Sequence, residues 1–341
     1  MRAAALSRSR WHLVRITSLM AAHCLANCPV RSTLLEQDYG LPLLEAARRT
    51  GIFISPGDPP RDSSLTVNGL NLHYLDWGNT GKPPVLFIHG YAQNAHTWDF
   101  SALALRGNYH VIAIDLRGHG DSEWSTQNDY SIDAYMSDVE GVIRFLGLHS
   151  VTIVGLSLGG TIAYSYAALN PGKVDRLVVV DTGPELNTRG RGRIQRFTSK
   201  LDILDSFDLF VARAMKYNPR RPEWQVRGSL RHSLQKLPDG RWTWKYDPTL
   251  RNPKRTTSAR PQSPEVRWSL WERIKCPTLL VRGGESDLLE RAIAERMIST
   301  LPNSQMIEVT GSGHLVPGDK PLAFQDSLLK FLSIGSIQDI L

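Results

Sequence analysis

Short runs of uninterrupted apolar residues alternate with helical segments along most of this chain, and this alternation limits its possible folds more than any other feature. An alternating pattern predicts a strand at 72–77, and runs rich in apolar residues predict strands at 85–89, 109–116, 151–156, 176–181, 277–282 and 305–309. The helical patterns predict helices at 95–105, 131–146, 158–169, 288–300 and 321–332. Because continuously apolar strands are buried on both faces, we expect an α/β fold with a mostly parallel sheet flanked by helices.

The alternation is interrupted between residues 183 and 274. This segment holds five of the nine tryptophans and has no strand-like run of Val and Ile. We therefore predict a mostly helical lid inserted between two strands of the sheet, with an irregular stretch at 248–264. The remaining boundaries follow: a core of residues 63–182 and 275–334, and an N-terminal extension of residues 1–62, partly disordered, with a possible helix at 33–50.

The net charge of +7 is unevenly distributed. Residues 183–274 contain 20 Lys and Arg against 9 Asp and Glu, so the predicted core is net negative. A solvated basic surface is the usual meaning of such an excess, and attraction of an anionic substrate is the alternative. No nucleic-acid-binding motif accompanies the charge, so nucleic acid is not an expected partner. No run of about 18 apolar residues occurs, so stable membrane insertion is not expected either.

The first 35 residues contain five arginines and no acidic residue, a composition typical of transit peptides. A poorly ordered extension would have the same composition. Of the three cysteines, Cys24 and Cys28 lie in this region and only Cys276 lies in the predicted core, so no disulfide framework is expected there. The sequence therefore predicts a cytoplasmic protein, or an organelle-targeted one if residues 1–35 act as a transit peptide.

The strongest local pattern is Gly155-Leu156-Ser157-Leu158-Gly159, which follows an apolar strand and precedes a helix. A G-x-S-x-G sequence in that context is typical of a nucleophile elbow, a tight turn that needs small residues on both sides of the serine. The helix N-terminus beside it would supply backbone N–H groups where negative charge develops. Ser157 is therefore the candidate nucleophile.

A serine hydroxyl is a weak nucleophile and needs an adjacent base. His314 is the candidate base, because it follows the strand at 305–309 in a glycine-rich loop and is the only histidine after His232. Asp287, after the strand at 277–282, is the candidate acid that orients the imidazole. Asp287 could instead cap the next helix. Two other acids compete for the role: Glu285, which is close in sequence, and Asp181, which ends the strand at 176–181.

Acyl chemistry also requires an oxyanion hole, which is a pair of N–H groups that stabilise the developing negative charge. The backbone N–H of Leu158, directly after the serine, is one candidate. The backbone N–H of Tyr91, in the loop after the strand at 85–89, is the other, since Gly90 allows that loop to turn towards the serine. His89 is expected to make a structural hydrogen bond.

Several motifs in order give the chain a family resemblance. They are Phe87-Ile88-His89-Gly90, the run Asp115-Leu116-Arg117-Gly118-His119-Gly120-Asp121-Ser122, the serine elbow, Gly284-Glu285-Ser286-Asp287 and Gly313-His314. From about residue 63 to 334 the chain resembles the α/β-hydrolase superfamily, in particular its serine esterase and lactonase-type members. The resemblance implies an eight-stranded, mostly parallel sheet with a helical lid between strands six and seven. It also implies that His119 belongs to a structural turn.

The resemblance implies hydrolysis of carboxylic esters or related acyl compounds through an acyl-enzyme, with a small acyl substrate and neither cofactor nor metal. Ser157 argues against the dehalogenases and epoxide hydrolases of this superfamily, which use an aspartate nucleophile. Two other functions remain open on the same fold: a small-molecule receptor with little turnover, and an acyltransferase. The sequence predicts neither the acyl group nor the oligomeric state.

Overall fold

The computed structural model describes residues 39–200, 202–251 and 262–333. Cys24, Cys28 and the candidate transit peptide lie outside the described residues, as does the first part of the predicted helix at 33–50. Within the described ranges, no helix has both the length and the apolar character needed to cross a bilayer.

The secondary structure follows the predicted alternation. The strands are β1 (Arg61–Val67), β2 (Leu70–Asp76), β3 (Pro84–Ile88), β4 (His110–Ile114), β5 (Val151–Leu156), β6 (Val174–Val180), β7 (Ile203–Leu204), β8 (Leu234–Lys236), β9 (Trp242–Trp244), β10 (Thr278–Gly283) and β11 (Ser304–Val309). The helices are α1 (Leu43–Thr50), α2 (Asp99–Leu105), α3 (Ile132–Phe145), α4 (Leu158–Leu169), α5 (Thr188–Thr198), α6 (Phe207–Tyr217), α7 (Glu223–Ser233), α8 (Pro264–Glu272), α9 (Arg291–Thr300), α10 (Val316–Asp319) and α11 (Pro321–Ser333).

Eight strands form the main sheet, in the order β1-β2-β4-β3-β5-β6-β10-β11. β2 is antiparallel to both of its neighbours, and every other pair in the sheet is parallel. This confirms the predicted eight-stranded, mostly parallel sheet. The strand β1 was missed because its sequence is mostly polar, and only Leu65 and Val67 of its seven residues are buried. An edge strand needs only one buried face, so it lacks the continuous apolar pattern of the central strands.

The central strands are buried on both sides, which is why their sequences are apolar throughout. In β3, Leu86 and Ile88 belong to one buried cluster, while Val85 and Phe87 belong to a second. Successive side chains of a strand point to opposite faces, so the two clusters lie on the two sides of the sheet. A sheet covered in this way leaves its strand ends as the accessible positions for polar side chains.

Residues 183–251, called the insert below, lie between β6 and β10. They form helices α5 to α7 and a three-stranded antiparallel sheet in the order β7-β9-β8, which the sequence did not predict. The insert has its own small core, in which Phe207, Phe210 and Trp244 are buried. By contrast, Trp268 and Trp271 of α8 belong to the main core, so the region predicted as lid ends in a helix that packs against the sheet domain.

Ion pairs with the sheet domain neutralise part of the positive charge of the insert. Insert cations lie against sheet-domain carboxylates in four pairs: Arg193 with Asp287, Arg220 with Glu285, Arg221 with Asp319, and Lys245 with Asp121. The N–O distances in these pairs range from 2.7 to 3.4 Å. The positive charge of the insert is therefore directed partly inward, towards the acidic domain that carries it.

Candidate active site

Ser157 occupies the tight turn between β5 and α4. Its backbone has φ 54° and ψ −113°, a conformation that non-glycine residues rarely adopt and that is typical of functional sites. The flanking glycines are required by contact: a Cβ on Gly155 would lie 2.3 Å from the carbonyl oxygen of Gly159, and one on Gly159 would lie 2.2 Å from that of Ile88. The strand, turn and helix expected for a nucleophile elbow are thus all present.

His314 lies in the loop after β11 and shares one cavity with Ser157. Its Nδ1 atom lies 2.8 Å from Oδ2 of Asp181, which directly follows β6. Since the carboxylate is acceptor only, Nδ1 carries the proton and Nε2 is the nitrogen left free to act as a base. A histidine in this tautomer therefore lines the same cavity as a serine in a strained turn.

Asp181 is fully buried, and its carboxylate is held by three donors. Oδ1 accepts from the backbone N–H of Gly283 at 2.9 Å, while Oδ2 accepts from Oγ of Ser286 at 2.5 Å and from His314. Asp181 also has a positive φ of 48°, which turns the chain immediately after the strand. Hydrogen bonds of this number stabilise an ionised carboxylate inside a protein. Asp181 therefore provides a fixed negative charge next to the imidazole.

The structure does not pair Asp287 with His314, contrary to the sequence prediction. Oδ2 of Asp287 lies 3.3 Å from Nη1 of Arg193, in the insert. The loop after β10 turns so that Ser286, rather than Asp287, reaches the carboxylate of Asp181. Asp287 does not cap α9 either, because that helix begins at Arg291 with Glu290 as its N-cap residue.

Of the two competing acids, Glu285 is bound to Arg220, while Asp181 makes the contact with the histidine. The sequence signal for Asp181 was the same as for Ser157. Both are polar residues placed directly after a continuously apolar strand, and the ends of parallel strands share one edge of the sheet.

The two candidate oxyanion donors lie on either side of the serine. Leu158 is the first residue of α4, so its N–H has no acceptor inside the helix. On the other side, a Cβ added to Gly90 would lie 3.4 Å from the Cβ of Ser157, which places the Gly90–Tyr91 peptide next to the nucleophile. The Tyr91 hydroxyl donates to the carbonyl of Leu250 at 2.6 Å, so its side chain is held by the insert.

His89 fixes the direction of the Gly90–Tyr91 peptide. Burial lowers the pKa of His89, so the ring is neutral. Its Nε2 accepts from the backbone N–H of Leu116 at 3.0 Å, and its Nδ1 therefore donates to the carbonyl of Gly90 at 2.7 Å. In a trans peptide the N–H points opposite to the C=O, so the N–H of Tyr91 points away from His89. The predicted structural hydrogen bond of His89 is confirmed.

The turn that contains His119 is structural, as expected. Asp115 is buried and accepts from the backbone N–H groups of Ala95 and Asp121, at 2.6 and 2.9 Å. Arg117 forms a buried pair with Asp138. Burial lowers the pKa of His119 to about 3, so its imidazole is neutral and cannot act as a cationic group. The turn thus fixes the loops around the site without supplying a reactive side chain.

A residue that the sequence analysis missed, Asp319, holds the histidine loop. Its buried carboxylate accepts from the backbone N–H of Gly313 at 3.0 Å and from Nδ2 of Asn218 at 2.6 Å. Nε of Arg221 lies 3.4 Å away, and both of these partner side chains belong to the insert. The residue before His314 is therefore tied to the insert through one carboxylate. The only sequence signal for Asp319 was its closeness to His314, and closeness in sequence alone is too common to identify a functional residue.

The cavity beside Ser157 has a volume of about 230 Å³, and most of its surface is apolar, although nearly as many polar as apolar side chains line it. The apolar and aromatic side chains include Tyr91, Phe100, Ile194, Phe197, Trp224, Leu230, Trp244 and Leu315. Two of the insert's tryptophans thus contact the cavity, and Trp244 also packs the small core of the insert. A cavity with a mostly apolar surface and polar groups among its lining suits a small organic ligand.

One group of side chains at the cavity wall has the composition of a metal site. Ligand atoms of His96, Asp99 and His232 lie within 4.8 Å of one another. The two imidazoles are stacked, with ring centroids 3.5 Å apart and an angle of 21° between the ring planes. Nε of Arg231 also donates to Nε2 of His232 at 3.0 Å, and burial together with His96 lowers the pKa of His232 to about 2. The arrangement is that of a stacked histidine pair held by Asp99.

Comparison with known proteins identifies the family to which the chain belongs. The model of the alpha/beta hydrolase family matches residues 85–326. The chain is 31% identical to esterase Rv0045c of Mycobacterium tuberculosis over 259 residues, which are 73% of this chain and 82% of that protein. It is also 31% identical to the 3-hydroxybutyrate-oligomer hydrolase of Cupriavidus necator over 251 residues, 71% of this chain and 86% of that protein.

A solved structure of the M. tuberculosis esterase Rv0045c superimposes with a TM-score of 0.70 at 28% identity, covering 86% of this chain and 97% of that one. Both its sequence and its described structure thus assign the chain to a known group: this protein belongs to the alpha/beta hydrolase family.

Proposed function

We propose that this protein is a serine esterase in which Ser157 is the nucleophile, His314 the general base and Asp181 the acid that orients the histidine. The observation that carries the proposal is the 2.8 Å contact between a fully buried Asp181 and His314, which lines the same cavity as the strained Ser157. The esterase and oligomer hydrolase among the similar proteins support ester bonds as the target.

In the acylation half, Oγ of Ser157 attacks the carbonyl carbon of the ester while its proton moves to Nε2 of His314. The negative charge that develops on the carbonyl oxygen accepts hydrogen bonds from the N–H groups of Leu158 and Tyr91. The imidazolium, stabilised by the Asp181 carboxylate, then gives the proton to the leaving alcohol as its C–O bond breaks. The products of this half are the free alcohol and an acyl ester of Ser157.

In the deacylation half, a water molecule takes the place of the alcohol. His314 removes a proton from the water as its oxygen attacks the acyl carbon, and the same two N–H groups hold the oxyanion. Collapse of the tetrahedral intermediate breaks the bond to Oγ of Ser157, and His314 returns the proton to that oxygen. The acid leaves, and the enzyme is restored without a cofactor being consumed.

The cavity favours a neutral, apolar acyl group. Most of its wall is apolar, and the cations of the insert that made an anionic substrate worth considering are partly paired with core carboxylates. An uncharged chain would replace water along this wall at a gain in free energy. We therefore propose monocarboxylic esters as the substrate class, in preference to esters with a second carboxylate.

The test is hydrolysis of p-nitrophenyl butyrate by the wild type and by Ser157→Ala. We expect the substitution to lower kcat by at least about 10³-fold, because no other side chain supplies the nucleophile. Ser299→Ala, an exposed serine on α9, is the matched control and keeps wild-type turnover. A fluorophosphonate should also modify the wild type once, at Ser157, as read by peptide mass. Turnover that survives Ser157→Ala would contradict the proposal.

A further inference from the structure

A segment that precedes the hydrolase core contributes to the wall of the substrate cavity. Leu41, Leu43 and Ala46 line the same cavity as Ser157 and His314. Residues 39–46, called the N-terminal strip below, consist of a short stretch without regular secondary structure and the first turn of α1. The match to the alpha/beta hydrolase family model begins at residue 85, so the strip lies before the residues that the family model matches.

One end of the N-terminal strip is packed into the insert. The ring of Tyr39 contacts Phe207 edge-to-face, with centroids 4.9 Å apart, and also lies against Trp242. The next residue, Gly40, has a φ of +102° and lies directly on α7, because a Cβ there would be 2.5 Å from the backbone nitrogen of Gly228. No side chain fits between the strip and the helix, so the strip closes tightly onto the insert.

The other end is anchored in the sheet domain. Ala47 of α1 is fully buried in one of the two main clusters, and Leu43 packs against the same cluster. The helix ends at Gly51, which has the left-handed φ of 76° typical of a helix C-cap. Beyond it, the backbone N–H and C=O of Phe53 both bond to the side-chain amide of Gln325, at 3.0 and 3.1 Å. The strip therefore bridges insert and sheet domain, and its position is fixed at both ends.

The side chains of the strip that line the cavity are apolar. Leu41, Leu43 and Ala46 line the same cavity as Ile194, Phe197 and Trp224 of the insert, to which the insert also contributes polar side chains such as Arg221 and Gln225. The apolar side chains of this wall favour binding in proportion to the apolar area that a ligand covers. They offer little to a polar or charged group, whose burial without a partner is unfavourable. A linear hydrocarbon chain is the ligand that fits this surface.

We propose that the three cavity-lining side chains of the N-terminal strip, Leu41, Leu43 and Ala46, form the acyl-chain wall of the site and set the chain length that the enzyme prefers. The proposal rests on the esterase function proposed above and adds to it the substrate class: esters of unbranched aliphatic acids longer than acetate. Leu41 is its main determinant, because it is the cavity-lining residue that lies between the two anchored ends and outside the helix.

The experiment changes Leu41 in both directions and compares it with Leu44, which lies on α1 with 42% of its surface exposed. Leu41→Trp fills the cavity, and we expect it to lower the ratio of kcat/KM for p-nitrophenyl octanoate over acetate at least tenfold. Leu41→Ala enlarges the cavity and should raise the ratio for dodecanoate over octanoate several-fold. Leu44→Trp and Leu44→Ala should keep both wild-type ratios. Ratios for the Leu41 variants within twofold of the Leu44 variants would overturn the proposal.

The use of p-nitrophenyl esters keeps the alcohol constant, so these ratios report on the acyl side alone. An effect of Leu41→Trp on octyl acetate without an effect on p-nitrophenyl octanoate would overturn the assignment to the acyl chain. Circular dichroism and thermal unfolding check that each variant folds. Since Leu41→Trp and Leu41→Ala act in opposite directions, a folding defect in one leaves the other as a test.

A second measurement separates this proposal from the esterase function. Binding of octanoic acid to Ser157→Ala, followed by calorimetry, needs no turnover. We expect Leu41→Trp in that background to weaken the affinity at least tenfold, and Leu44→Trp to leave it unchanged. If the wild type hydrolysed no ester but Leu41→Trp still weakened octanoic acid binding, only the esterase function would fail. Equal affinities in the two variants would overturn the acyl-chain wall.

Discussion

The neighbouring parallel strands β6 and β10 end side by side at one edge of the sheet, yet the loops that follow them use their acidic residues in different ways. Asp181, directly after β6, is fully buried and contacts His314. Asp287, four residues after the end of β10, has a side chain that is 31% exposed and pairs with Arg193 of the insert. Both acids satisfy the sequence criterion for the acid of a triad. The comparison teaches that the turn after the strand, more than the strand end itself, decides what an acid contacts.

The loop after β10 acts as a contact surface for the insert. Glu285 accepts from Nη2 of Arg220 at 2.8 Å, and Asp287 lies against Arg193. The same loop reaches the site only through Ser286, which donates to Asp181. Along one short loop, alternate residues therefore face the insert and the candidate site. Four substitutions, in order of decreasing expected effect, test which side chains act on His314 and its loop and which only bind the insert.

Asp181→Asn should have the largest effect, because it removes the charge that stabilises the imidazolium and disturbs the tautomer of His314. We expect kcat for p-nitrophenyl butyrate to fall by about 10⁴-fold with little change in KM. Steady-state kinetics measure this. Asp287→Asn in the same assay is the matched control. A larger loss of kcat in Asp287→Asn than in Asp181→Asn would contradict the role of Asp181 and support Asp287, the acid that the sequence favoured.

Asp319→Asn should mainly lower stability. The change leaves the guanidinium of Arg221, whose side chain is only 15% exposed, without its carboxylate. Breaking a buried pair in this way costs about 3 kcal/mol, and we expect the free energy of unfolding in urea to fall by that amount. Asp326→Asn, an exposed acid on α11, is the control. Equal stabilities of the two variants would contradict the role of Asp319 in holding the histidine loop to the insert.

Ser286→Ala should have a moderate effect. It removes one of the three donors to the Asp181 carboxylate while leaving Gly283 and His314 in place. A hydrogen bond to a charged group contributes about 1.5–3 kcal/mol. Part of that free energy positions the carboxylate, so we expect kcat to fall about tenfold. Restoration of activity by Ser286→Thr, which keeps the hydroxyl, distinguishes the hydrogen bond from packing, and wild-type kcat in Ser286→Ala would exclude the role.

Asp287→Asn should have the smallest effect. The pair with Arg193 is partly exposed on both sides, and pairs of that kind contribute about 0.2–1 kcal/mol. We expect kcat to stay within twofold of the wild type and the free energy of unfolding to fall by less than about 1 kcal/mol. Because salt screens exposed pairs, the difference in stability should disappear at high ionic strength. A salt-independent difference would show that Asp287 does more than bind the insert.

Patterns within a few residues were enough to predict much of the fold. The apolar runs located the central strands to within two residues at each end, because a strand that is buried on both faces must be apolar at nearly every position. The elbow was equally predictable, since Gly155 and Gly159 are required by contacts that the turn itself creates. The strand β1 and the small sheet of the insert were missed, because strands that bury one face carry no continuous apolar pattern.

The candidate site was predictable for the residues whose signal is local. Ser157 and His314 follow from the elbow and from chain order, and the structure brings both to one cavity. The partner of His314 was not predictable in this way, since Asp181 and Asp287 lie 133 and 27 residues from it in sequence and each follows a buried strand. Asp319 and the N-terminal strip had no motif at all, because their contacts join parts of the chain that are distant in sequence.

The sequence by itself determined the parallel sheet, the position of the insert and the serine turn, because burial and tight turns restrict residue type directly. Only the tertiary structure decided which acid meets the histidine and which segments enclose the cavity. Those outcomes depend on the direction in which each loop leaves its strand. Two side chains form a hydrogen bond, or line the same cavity, only if their loops bring them close together. Residue type sets which groups can pair, and the fold sets which groups do.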